Sequence, residues 1–186
     1  MVIKWEKLAE CEKKKFEKMN ELHKFIYFLL KQFGSPYAWG KENPETTDCS
    51  GSVCMALYAA TGLLIRTTAD DLLKRVFTKA NPQQGDIRAV FFVAKNYKQH
   101  GEGYAIAGTA VHVAGIVDDG VIFNASSLEP FARVRRLNEV SDWYLRNGHD
   151  VIIRGLNREA LAKLAGEGQA VYELDPEFYN YFERSK

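Results

Sequence analysis

The residues of this chain best suited to chemistry are a cysteine, a histidine and an asparagine far apart in sequence. They are Cys49 in "TTDCSGSVCMALYAATG", His112 in "TAVHVAGIV" and Asn124 in "GVIFNASS". A thiol is a useful nucleophile only as thiolate, and its usual pKa of about 8.5 falls at a helix N-terminus, where unpaired N–H groups favour negative charge. Cys49 stands where an apolar helix should begin, with Asp48 before it and Ser50 and Gly51 after it. Gly51 leaves the adjacent backbone bare, so a substrate carbonyl can approach and an amide N–H can face a developing oxyanion. Taken alone, the position favours a packing role, because free cysteine is among the most buried residue types.

A thiol nucleophile needs a base, and the base needs an orienting group. Of the four histidines, His23 lies in the first helical stretch, His100 in the Gly-rich loop "QHGEGYAIAG", and His149 in a turn after Asn-Gly. Only His112 sits inside a strand pattern, where it reads equally as a core histidine satisfied by a backbone carbonyl. The "DDG" at 118–120 is a hairpin turn, and Asn124 lies an even number of residues from His112, so pairing can put both on one sheet face. There Asn124 can accept the imidazole N–H and fix the tautomer, or be simply a strand-end polar residue. Cys54 should point away from Cys49 around a helix, into the core, and Cys11 invites no special role. Cys49, Cys54 and a histidine lack any usual zinc spacing, so neither a metal nor a cofactor is expected. Tyr97, Tyr104 and the C-terminal tyrosines are expected to pack.

The elements that must position these residues are legible in outline. Hydrophobic recurrence predicts helix over 4–33, its first half so charged that it forms a solvated arm or an extra first helix, its second half core. A helix is expected over 50–60, capped by Asp48 or Ser50 and ended at Gly62, and another in "TTADDLLKRVF" behind a threonine cap. Short β-branched runs follow at "DIRAVFFVAK", "TAVHVAGIV", "GVIFNASS", "ARVRRL" and "DVIIRGL", with one helical turn in "SDWYLRN" and a capped helix in "NREALAKLAG". Helices first and a strand meander afterwards predict an α+β domain with an antiparallel sheet. The parts are an N-terminal arm over 1–20, a core domain over 21–156, and a C-terminal helix and aromatic, acidic tail over 157–186 packed on it.

Five stretches resemble, in order, the NlpC family of papain-like cysteine peptidases. They are "GSPYAWG" at 34–40, "TDCSG" at 47–51, "QGDIRAVFF" at 84–92, "HVAGIVDDGVIFNASS" at 112–127 and the closing strand "VIIRGL". The resemblance implies a papain-like fold, N-terminal helices packed on a central antiparallel sheet of about five to six strands. It implies Cys49 as nucleophile, His112 as base and acid, and Asn124 at a third polar position where the family most often has histidine. Tyr37 falls at the family's active-site tyrosine and, with Asp48, Ser50 and Gly51, is expected to line the substrate pocket and oxyanion region. Three departures stand out. "WGKENP" replaces the usual Trp-Gly-Gly, and "GDIRAVFF" is two residues longer than usual, which implies a bulge or a shifted strand. The connection 94–110 is also longer, as a lid or a long hairpin loop.

By resemblance, the substrate is a peptidoglycan stem peptide cut at a γ-D-glutamyl bond to a diamino acid. The alternatives are an amidase or acyltransferase on a non-wall substrate, or a phage-associated wall-degrading or assembly protein. A net charge of +1 offers no argument for nucleic acid or an anionic membrane surface. No run reaches the roughly 18 apolar residues of a membrane span, and the charged N-terminus is no recognisable secretion signal. The expectation is a protein cytoplasmic as synthesised, reaching a wall, if at all, by phage or another route without a signal peptide. The sequence is silent on oligomeric state.

Overall fold

The computed structural model describes residues 10–43, 45–100 and 103–168. In chain order the strands are β1 (Glu42–Asn43), β2 (Thr46–Thr47), β3 (Arg88–Ala94), β4 (Lys98–His100), β5 (Gly103–Ala105), β6 (Ala110–Asp118), β7 (Val121–Asn124), β8 (Arg133–Arg136) and β9 (His149–Gly155). The helices are α1 (Glu10–Lys18), α2 (Glu21–Lys31), α3 (Cys49–Thr61), α4 (Ala69–Asp71), α5 (Leu137–Arg146) and α6 (Arg158–Gly166). Five strands form one antiparallel sheet in the order β8-β7-β6-β3-β9, while β1 with β2 and β4 with β5 make small separate hairpins. This is the expected α+β papain-like architecture.

Both faces of the sheet are covered, which is why β3 and β6 are apolar almost throughout rather than alternating. On one face Phe91, Val113 and Phe123 share a core with Phe25, Phe28 and Leu29 of α2 and Val53 and Leu57 of α3. On the other, Val90, Phe92, Ala114 and Ile122 pack with Val140 and Tyr144 of α5. Gly115 lets α2 press on β6, because a methyl there would collide with the Leu29 side chain.

The first helix is broken where the periodicity ran on. Asn20 caps α2 by accepting from the His23 N–H at 2.9 Å, which ends α1 and restarts the chain in a new direction. Phe16 of α1 nevertheless enters the main core. Residues 4–9 of the expected helix, the C-terminal tyrosines and the acidic tail lie outside the described residues. α4 starts at the expected threonine, Thr68, and runs into a π-helical turn over Leu72–Val76. α5 is ten residues long instead of one turn. Its core stripe is Leu137, Val140 and Tyr144, at i, i+3 and i+7, and it starts at a leucine that reads as the end of the strand run "ARVRRL".

Two further expectations change. His149 does not sit in a turn but opens β9, buried, with Nδ1 at 3.2 Å from the Tyr144 carbonyl oxygen. Tyr97 and Tyr104 do not pack inside. They stack on each other across the β4–β5 hairpin, rings 5.0 Å apart, with each residue 66% exposed. The long connection 94–110 is therefore a hairpin.

Candidate active site

Asp48 and the first turn of α3 set the position of Cys49. Asp48 has extended backbone and its carboxylate caps the helix, accepting from the Gly51 N–H at 2.6 Å and, through its other oxygen, from the Gly40 N–H at 2.7 Å. The Asp48 N–H donates to the Lys41 carbonyl, and β2 runs directly into it. Tyr37 pairs with Thr47 of β2 through the backbone and is half-buried. The segment 36–47 is thus wrapped around Asp48.

A buried charge network backs this turn. The Arg66 guanidinium, 1% exposed, donates to Glu42 at 2.9 Å, to Asp48 at 2.9 Å, to the Ser50 hydroxyl at 3.1 Å and to the Thr67 carbonyl at 3.1 Å. The Ser50 hydroxyl in turn donates to Asp48 at 3.0 Å. Burial works against the charge on Arg66, and Cys54, Asp48 and Glu42 outweigh it, so its pKa is raised. The Asp48 carboxylate of this network lies close enough to the thiol to act on it.

That charge changes the electrostatics expected of a helix start. The Cys49 thiol is pushed up to about 12, first by burial and then by the Asp48 carboxylate. The backbone N–H groups of Val113 and Ser50, and Arg66, oppose the rise without cancelling it. The helix terminus is present, but its cap is itself an anion. Gly51 also differs from expectation: its bare α-carbon faces inward, where a methyl would clash with the Lys41 carbonyl oxygen. Asp48, Ser50 and Gly51 are buried, and the Asp48 carboxylate, the Ser50 hydroxyl and the Gly51 N–H are bonded within the protein.

β6 and β7 place the other two residues. Phe92 pairs with His112 but Val93 pairs with Ala110, so Val111 is an extra residue in β6 immediately before the histidine. Such bulges twist a strand and re-aim the neighbouring side chain. This is an irregularity in "GDIRAVFF" pairing, yet it sits at the end of that stretch, and β3 pairs with β9 without a break. Across the Asp118–Gly120 turn, Asn124 Oδ1 lies 2.8 Å from His112 Nε2. Val113, whose N–H approaches the Cys49 sulfur, is the residue after His112, so Cys49 lies beside the stretch of β6 that carries the histidine. Cys49, His112 and Asn124 are all buried, at 7%, 5% and 3% exposure. A shallow recess of about 470 Å³ lies elsewhere, lined by Thr78, Lys79 and Leu156–Glu159.

The sequence of residues 34–139, more than half of the chain, matches the model of the NlpC/P60 family. The chain belongs to the NlpC/P60 family. Members of this family are typically peptidoglycan hydrolases of the cysteine peptidase type. Among solved structures, the chain is similar to NlpC2 from Trichomonas vaginalis, with 20% identity and a TM-score of 0.52 over 84% of this chain and 51% of that one. It is also similar to a lipoprotein-like NLP/P60 protein from Staphylococcus aureus subsp. aureus Mu50, with 20% identity, TM-score 0.52, and 74% and 42% coverage. An NlpC/P60 family protein from Bacillus cereus ATCC 10987 gives 22% identity, TM-score 0.50, and 74% and 39% coverage. The chain thus spans about half the length of these proteins or less, and at such identities the likeness is one of fold. A comparison with curated proteins gave no significant match.

Two residues that the sequence did not point to lie against these candidates. Arg66 was hidden as a single charge in "LLIRTT", and its only signal is an arginine inside an apolar run. Tyr144 stacks on the His112 ring at 5.5 Å, and its hydroxyl meets Ser126. Its phenol is pushed above the ordinary range, first by burial and then by Cys49, with Ser126 opposing. Nothing in "SDWYLRN" ties that tyrosine to a histidine 32 residues earlier (144 − 112). Cys54 is fully buried in the core, and burial pushes its thiol up to about 11. No helix of the described residues is long and apolar enough to cross a membrane.

Proposed function

We propose that this chain is a cysteine peptidase that hydrolyses an amide bond of peptidoglycan stem peptides, at a γ-D-glutamyl bond to a diamino acid. The observation that carries the reading is the 2.8 Å contact between His112 Nε2 and Asn124 Oδ1, beside a thiol that the Val113 N–H approaches. With Nε2–H donated to Asn124, Nδ1 is the nitrogen that takes the thiol proton. The raised thiol pKa makes that transfer necessary, because at neutral pH Cys49 alone stays protonated.

The sulfur then adds to the scissile carbonyl, and the Ser50 backbone N–H beside it faces the oxyanion. The proton on Nδ1 passes to the leaving amine, the C–N bond breaks and a thioester remains. Water, deprotonated by His112, attacks the thioester, releasing the carboxylic acid and restoring the thiol. Asp48, Ser50, Gly51 and Arg66 act behind the nucleophile, fixing the α3 start, and Tyr37 borders the acceptor side.

The test is hydrolysis of defined stem peptides and purified muropeptides by wild type and Cys49→Ala. Wild type should release fragments ending at the γ-D-glutamyl residue, and Cys49→Ala should release none while keeping its fold. Equal hydrolysis by both proteins would sink the proposal. Inert muropeptides with an acyl group trapped on Cys49 from cell extract would point instead to an acyltransferase or amidase.

A further inference from the structure

We propose that Tyr144 is a positioning residue that stabilises the imidazolium form of His112 through its ring face, supplying what the uncharged Asn124 cannot. The inference rests on His112 being the base, as argued above.

The orienting side chain on Nε2 is an amide, which offers a dipole but no full charge to an imidazolium. His112 is 5% exposed, so bulk water does little to solvate that cation. Aromatic rings supply the compensation. Tyr144 lies parallel to the imidazole, centroids 5.5 Å apart and planes 10° apart, and Phe92 lies at 5.6 Å and 32°. A cation within about 6 Å of a ring face is attracted by the ring quadrupole, more strongly when desolvated.

Tyr144 is itself held in place. Phe92 stacks on it at 4.0 Å, His149 meets its edge at 5.1 Å, and the Tyr144 carbonyl oxygen lies 3.2 Å from His149 Nδ1. Ser126 holds its hydroxyl. α5 therefore presents a fixed ring to the base instead of a mobile one. The charged and titratable groups around the pair come from every neighbouring element. Cys49 with Asp48 and Arg66 lies on the α3 side. Asp70 of α4 bonds the Ala110 N–H, Glu129 acts on the Tyr144 phenol, and His149 opens β9.

The experiment is an NMR titration of the His112 imidazole in the full chain carrying Cys49→Ala, which removes the coupled thiol. The resonance is assigned by its loss in His112→Gln. Tyr144→Phe should leave the His112 pKa near its starting value. A ring-fluorinated phenylalanine at the same position keeps the shape but drains the ring face, and should lower the pKa by about half a unit to one unit. Tyr144→Leu should lower it at least as far. A ring that merely shields the histidine predicts the reverse, since its removal would admit water and raise the pKa. An unchanged value on fluorination, or a raised one in Tyr144→Leu, overturns the proposal. Should Tyr144→Leu fail to fold, the fluorinated pair decides alone. The readout needs no substrate, so failure to cleave stem peptides and failure of this inference are separate results.

Discussion

Behind Cys49, an arginine, two carboxylates and a serine hydroxyl bond one another out of water. Around His112 stand the Asn124 amide and a set of stacked rings. The first arrangement is rigid because every charged group depends on the others. Burying three charges is tolerable only while they stay paired, and burial first, with the Asp48 carboxylate second, keeps the thiol protonated. The second holds its residue largely by the packing of ring on ring.

The sharpest way to break the comparison is to remove the centre of the network. Arg66→Met leaves the buried Glu42 and Asp48 carboxylates unpaired and should cost about 3–5 kcal/mol of stability in urea unfolding. A loss below about 1 kcal/mol would mean the network is not what holds the α3 start. On the other side, Asn124→Ala should slow amide hydrolysis about a hundredfold in kcat, equivalent to about 2.7 kcal/mol, as the imidazole loses its tautomer. Asn124→His should recover part of that rate; no recovery would deny Asn124 an orienting role.

Smaller effects sharpen the picture. Gly51→Ala forces a methyl against the Lys41 carbonyl and should destabilise by about 1–3 kcal/mol, read as a lower unfolding midpoint. Ser126→Ala offers no such clash and should shift the midpoint less. The alkaline limb comes last. Folded Cys54 and Cys49 hold their protons to about 11 and 12, against 9.0 for the ordinary thiol. Above pH 9 the unfolded chain has therefore lost protons that the folded one keeps, and stability should fall as pH rises from 9 towards 11. Cys54→Ala should flatten that fall, and an identical slope would show that the core thiol does not contribute.

The elements were readable where local chemistry governs them. Asp48 caps α3 and Gly62 ends it in a left-handed conformation, both signalled by residue type at a boundary. The two-residue turn after Asp118 would by itself put His112 and Asn124 on opposite faces, and the extra residue Val117 between Ile116 and Asp118 of β6 shifts the register and returns them to one face. The break at Asn20 was overlooked because hydrophobic recurrence continues through it, and α5 because its first core residue, Leu137, read as the end of the preceding strand.

What the sequence by itself determined is the order of helices and strands, the helix-start cysteine and the tight turn that joins the strands of His112 and Asn124. These follow from turn geometry, capping and side-chain alternation, which act over a few residues. Only the tertiary structure decided that the carboxylate capping α3 is paired with Arg66 and raises the thiol's pKa, and that Tyr144 covers the base. Those outcomes depend on burial and on groups 18 or more residues apart, because desolvation and ring stacking exist only once the chain has closed around them.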